Sequence, residues 1–120
     1  MYDRRKRNRF VERNEVLLRT SMNKYQGAGI AAYTHDLSSG GARIVTSKSY
    51  AVGTVLRIRV SLAGTDQFIS LDGEVKWLKV IEGEELFEIG VEFLHMTSPD
   101  ILVLLQHLYG RNEGIPSTIA

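Results

Sequence analysis

The sequence predicts an all-β domain: a small barrel of six antiparallel strands, followed by one C-terminal helix at about 98–109 and preceded by a flexible basic N-terminal arm. Three observations predict it. Apolar residues alternate with polar ones along most of residues 15–94, the connections between alternating runs are short and rich in Gly, Asn and Asp, and the period changes once, after Ser98, to that of a helix. A chain of 120 residues suits one domain with a real core. The expected divisions are an arm at 1–13, the barrel with its helix at 14–110 and a frayed polar tail at 111–120.

Glu15–Ser21 (EVLLRTS) reads as a first strand and Asn23–Gly29 as a turn, with Ile30–His35 pairing back. Asp36–Gly41 (DLSSGG) is expected to be a tight loop before a strand at Ala42–Thr46. Thr54–Leu62 puts Leu56, Ile58, Val60 and Leu62 on one face and Arg57, Arg59 and Ser61 on the other. After the hairpin signal at 63–66, the strand Gln67–Val80 carries Ile69, Leu71, Val75 and Trp77 on one parity, and Gly73 suggests a bulge or a bend. Leu86–Leu94 places Phe87, Ile89, Val91 and Phe93 inward and Glu88, Gly90 and Glu92 outward. Ser98-Pro99-Asp100 starts a helix and Gly110 stops it; Ile101, Leu104, Leu105 and Leu108 share the face that would cover the barrel, while Leu102, Val103 and Tyr109 lie off that stripe.

Charge is distributed unevenly. Residues 1–13 hold six of the fifteen Lys and Arg against two acids, a net of +4, and residues 14–120 carry a net of −3. A basic arm on a mildly acidic body is suited to an anion. Taken alone, the arm reads as a solubilising tail, a general nucleic-acid or membrane tether, or a specific anion clamp. With no cysteine, disulfides, thiolate catalysis and Cys-based zinc sites are excluded. No apolar run approaches the roughly 20 residues of a membrane span, and the Arg-rich start is not followed by the apolar stretch of a secretory signal, so the chain is expected in the cytoplasm with no membrane span.

Catalytic and metal chemistry find no support. His35, His95 and His107 are scattered without metal-site spacing, Glu82, Glu84 and Glu85 fall at a hairpin tip where acids are solvated, and Ser38–Gly41 lacks the length and the Lys of a P-loop. The expectation is no catalytic residue, no metal and no cofactor. DLSSGG has two readings. It is a tight connection using Asx-turn chemistry, or a polar loop whose Asp, Ser and Gly admit a ligand to the backbone.

Together the arm and the loop resemble a known pair of motifs. Arg5-Lys6-Arg7-Asn8-Arg9 fits RxxxR and Asp36-Leu37-Ser38-Ser39-Gly40-Gly41 fits (D/N)xSxxG, the signatures of the PilZ domain family, whose ligand is cyclic di-GMP. The GARI that follows, Gly73-Glu74-Val75-Lys76-Trp77 (GxVxW) and Gly90-Val91-Glu92-Phe93 (GVxF) extend the resemblance over roughly residues 4–109. It implies a PilZ-like barrel and a cyclic di-GMP receptor or adaptor that reorders its arm on binding, signals to an unidentified effector protein or to a second copy of the chain as a homodimer, and recognises no specific nucleic acid. Arg5 and Arg9 would contact phosphate and guanine, since arginine's planar fork grips either bidentately and also stacks on a purine. Asp36 and Ser38 would meet guanine and arginine groups, Gly40 and Gly41 would shape the loop, and Arg4 would add a contact or influence whether one or two ligands bind. Trp77 is either a core aromatic or an indole partly open at the barrel surface supporting the ligand or the arm. The alternatives are a PilZ-like interaction module independent of nucleotide, and a basic tether for nucleic acid or anionic lipid.

Overall fold

Leu56, Ile58 and Val60 are buried while Arg57, Arg59 and Ser61 between them face solvent, so the period-two pattern maps directly onto an inner and an outer surface. A computed structural model describes residues 10–20, 29–81, 83, 85–94 and 98–110. The elements are β1 (Phe10–Val11), β2 (Glu15–Thr20), β3 (Ile30–Leu37), β4 (Gly41–Thr46), β5 (Val55–Ser61), β6 (Phe68–Val80), β7 (Phe87–Leu94) and α1 (Ser98–Gly110). All pairings are antiparallel and run β3-β2-β5-β6-β7-β4, and β4 pairs back onto β3. Closure gives each of the six strands two neighbours, and only overhanging ends such as the outer part of β6 lack one.

The predicted six-stranded barrel and its terminal helix are therefore present, with one addition. Residues 10–11, counted with the arm from the sequence, form β1 and pair Phe10 with Leu37 and Val11 with Asp36. They occupy the stretch of β3 that β2 does not reach, because the β2–β3 register ends at Glu15 opposite Tyr33. β3 also runs through Asp36 and Leu37, so the loop expected over 36–41 shortens to residues 38–40. The turn expected at 23–29 falls almost wholly outside the described residues.

Val16, Leu18, Ile44, Ile69, Leu71, Val75 and Ile89 fill the interior with the β5 residues. Each such burial contributes about 1.5–3 kcal/mol. Gly73 is interior: a Cβ there would lie 2.8 Å from Ile58 Cδ1, so its smallness makes room for a core side chain. The irregularity expected at Gly73 sits three residues later, at Lys76, where the β6–β7 register shifts between Val75 and Trp77. Leu104 and Leu108 of α1 join the core as predicted, Val103 and Tyr109 pack against it from outside the predicted stripe, and Leu102 stays 60% exposed.

One polar cluster is buried where β1 passes into β2. The Asn14 amide oxygen accepts the Ala63 N–H at 2.7 Å, and its Nδ2 donates to Thr34 Oγ1 and Glu12 Oε1, both at 3.1 Å. Thr34 donates to the Glu12 carbonyl at 2.5 Å. His107 Nε2 of α1 donates to the same Glu12 carboxylate oxygen at 2.8 Å, with both side chains almost fully buried. Among the described residues no buried side-chain nitrogen or oxygen lacks a partner. Removing one member strands the others, which costs more than the bond itself was contributing. Asn14→Ala is expected to lower the unfolding free energy by about 2–3 kcal/mol in urea denaturation; a loss below about 0.5 kcal/mol would contradict this account of the cluster.

Candidate functional site

The outer surface carries a row of residues set by strand register. Val11 pairs with Asp36, Asp36 with Arg43, Arg43 with Gly90 and Gly90 with Trp77, crossing β1, β3, β4, β7 and β6. Arg43 Nε donates to Asp36 Oδ2 at 2.7 Å; the carboxylate is 2% exposed and the arginine side chain 32%. A buried carboxylate held by a half-open guanidinium is a fixed, charge-assisted pair whose cation still reaches solvent.

Trp77 is on the outside, so of the two placements its sequence left open the partly open surface one is observed, and the core one, suggested by its parity with Val75, is not. Val75 opposes Val91 but Trp77 opposes Gly90, so Lys76 is an extra residue in the ladder and reverses the side-chain parity beyond it. The indole is 38% exposed and lies across Gly90, where an added Cβ would come within 2.2 Å of its ring atoms. Glycine at 90 thus creates the seat on which the ring lies, beside Arg43 in the row. Lys76, though cationic and adjacent, is committed elsewhere: it reaches Glu92 at 3.3 Å and Glu74 at 3.5 Å, and the hydrogen bond it donates to Glu92, then the charge of Glu74, raises its pKa.

The connection between β3 and β4 borders this row. Ser38 Oγ accepts the N–H groups of Gly40 and Gly41 at 3.1 and 3.2 Å and donates to the Gly41 carbonyl, while the Ser38 N–H donates to that carbonyl at 2.9 Å. The Gly40 carbonyl accepts the Phe93 N–H. The loop is therefore tied to itself and to β7. Gly41 is required by close approach, since its Cβ would sit 2.3 Å from the Val91 carbonyl oxygen. The turn-shaping role expected of it is thus a packing requirement between β4 and β7.

Of the predicted site residues, Asp36, Ser38, Gly40, Gly41 and Trp77 are brought to one side of the barrel. Arg4, Arg5 and Arg9 lie outside the described residues. Arg9 is nonetheless covalently joined to Phe10, whose Cα is paired with that of Leu37, next to Ser38. Sequence reasoning missed Arg43. Its signal was its parity: Gly41, Arg43 and Val45 share the outer face of β4, and an arginine there stands one strand from Asp36. Glu88, expected outward, is outward but covered, with His35 Nδ1 at 3.0 Å and Lys79 Nζ at 3.6 Å. Among the described residues no three His, Cys, Asp or Glu side chains cluster as a metal site would require, and no helix is long and apolar enough to cross a membrane.

Fold and site define a closed antiparallel barrel capped by one helix, with a short polar loop and an aromatic-cationic row on a single outer wall. A model of the PilZ domain matches residues 3–110, and the chain belongs to the PilZ domain family. Among solved structures it is similar to the inhibitor of motility MotI/DgrA of Bacillus subtilis, at 20% identity and a TM-score of 0.75, covering 92% of this chain and 52% of that one. It is similar also to YcgR from Escherichia coli in complex with c-di-GMP, at 15% identity and 0.70, covering 91% and 46%. The isolated PilZ domain of YcgR with c-di-GMP matches at 16% identity and 0.60, covering 94% of this chain and all of that one. The chain thus spans about half the length of the first two proteins. No curated protein sequence matches it.

The seat beneath Trp77 is testable because this is the chain's one tryptophan. Gly90→Val is expected to lift the indole off β7 and shift its emission to longer wavelength. An unchanged spectrum in a folded variant would contradict the geometry.

Proposed function

We propose that this PilZ domain is a cytoplasmic receptor for cyclic di-GMP that signals to an effector protein by reordering its basic arm. One observation carries the reading: β1 pairs with the last two residues of β3, so the chain that bears RxxxR enters the barrel directly beside the loop that bears DxSxxG. Two motifs far apart in sequence are joined at one strand pair. The solved complexes of YcgR with c-di-GMP, which share this fold, support the choice of ligand.

In this reading the barrel supplies a fixed half-site. Ser38 and the Gly40–Gly41 backbone present polar groups, Asp36 and Arg43 form a preset charged pair, and Trp77 offers a flat face to a purine. Arg5 and Arg9 supply the other half, gripping phosphate and guanine edges, with Arg4 in support. Ordering the arm costs about 1–2 kcal/mol per residue, so the charged contacts must exceed that sum. No step breaks or forms a covalent bond; the output is a change of surface.

The route for that change begins at the arm's base. The Phe10 ring meets Tyr109 of α1 edge-on at 5.3 Å between centroids, and Glu12 holds His107 two residues away on the same helix. Tension on Arg9 is therefore delivered within three residues to two contacts on α1, the helix that also carries the exposed Leu102.

Calorimetric titration with cyclic di-GMP, using GMP and cyclic di-AMP as competitors, is expected to give selective binding. Arg5→Ala and Arg9→Ala should each weaken it at least tenfold, about 1.4 kcal/mol or more. Undiminished binding in both, or equal affinity for single-stranded RNA with steep salt dependence, would overturn the assignment. Sedimentation with and without ligand decides whether a second copy takes part.

A further inference from the structure

On a body of net charge −3, one wall of the barrel gathers arginines. Arg19 and Arg59 of β2 and β5 point outward with Arg57, and Arg13 stands at the entry to β2. Arg57 is engaged with Asp72 at 3.0 Å, whereas among the described residues neither Arg13 nor Arg59 is within ion-pair distance of a carboxylate. Each is instead laid on an aromatic ring: the Arg13 guanidinium carbon is 3.9 Å from the Tyr33 centroid and that of Arg59 is 3.8 Å from the Phe68 centroid. Distances this short correspond to a guanidinium stacked on the ring, which leaves its N–H edge directed away from the ring and free to donate.

Between the two stacked arginines runs a groove of about 640 Å³ whose floor includes Leu17 and Ala31 and which also holds Glu15. Leu17, which lines the groove, is 39% exposed, and Phe68, which carries Arg59 on its ring, is 52% exposed. The groove lies on the β3-β2-β5 wall, apart from the row that ends at Trp77. We propose that this groove docks an extended peptide segment of a partner protein in which acidic residues flank an apolar side chain. The arginines receive the carboxylates bidentately, Leu17 and Ala31 receive the apolar side chain, and Glu15 accepts a peptide N–H. Glu15 also decides against a nucleic acid, because a carboxylate in the same groove as the two cations opposes a continuous run of phosphates. The proposal rests on the receptor reading, for which it supplies the partner's surface. Arg13 follows Glu12 immediately, so one rim of the groove belongs to the segment that anchors the arm.

The test presents the labelled full chain to arrays of ten-residue peptides in which Asp or Glu flanks Leu, Ile, Phe or Trp, beside arrays with the same apolar residues flanked by Ser or by Lys, and beside a twenty-residue oligothymidylate. At least tenfold greater retention is expected on the acidic arrays, falling at least fivefold in Arg59→Ala and in Leu17→Glu, both on regular strand and checked by thermal melting. Equal retention on the serine arrays, retention unchanged in both variants, or tighter capture of the oligothymidylate would overturn it. Cyclic di-GMP titration of the same proteins separates the two readings: binding of nucleotide without peptide selectivity defeats the groove alone, whereas peptide selectivity without nucleotide binding defeats the receptor assignment and leaves a nucleotide-independent docking module.

Discussion

The two-residue pairing of β1 with the end of β3 is the constraint on which the rest depends. It contributes few hydrogen bonds, and its importance is positional. Phe10 opposite Leu37 and Val11 opposite Asp36 fix where the basic segment meets the barrel, and they do so on the flank of β3 that β2 leaves open. Without that short strand, Phe10 and the Ser38 loop would have no defined relation. The shortness is itself appropriate, since two residues are too few to persist alone and must be held by something else.

What holds them is the buried polar cluster. Glu12, Asn14, Thr34 and His107 come from the β1–β2 connection, β3 and α1, and their hydrogen bonds close on one another with the Ala63 backbone as a further member. Such a network is costly if any member is missing, so it selects a single arrangement of arm base, barrel and helix. It also makes the arm base and α1 one mechanical unit. The edge-on contact of Phe10 with Tyr109 adds an apolar component to the same junction.

The barrel was legible because burial on one face imposes a period that survives in the sequence, most cleanly in Leu56, Ile58 and Val60. The loop and arm were legible as residue types at a spacing. Less legible was whatever depends on a single register step. Trp77 shares its parity with Val75, and nothing in the residues announces that Lys76 is an extra one; only the pairing with β7 shows it. Glu88 and His107 look like solvated polar residues until neighbours from distant strands and from the arm base cover them. Arg43 needed the knowledge that β4 lies next to β3 at Asp36, a pairing local in sequence but shortened by a bulge. β1 was hidden by its charge: a strand of two residues after a run of arginines has no alternation to display.

The closeness of Gly41 to β7 has a bearing on how loss of function here would be understood. Position 41 falls inside the stretch that fits the family's (D/N)xSxxG pattern, yet the atom that forbids a side chain is the Val91 carbonyl oxygen of the neighbouring strand. A larger residue would force β4 away from β7 at the point where the barrel carries the Arg43–Gly90–Trp77 row. Silence of a natural variant at this glycine would therefore be an architectural lesion that imitates a recognition defect, and inheritance of the glycine would record the thickness of the wall as much as the identity of what binds to it.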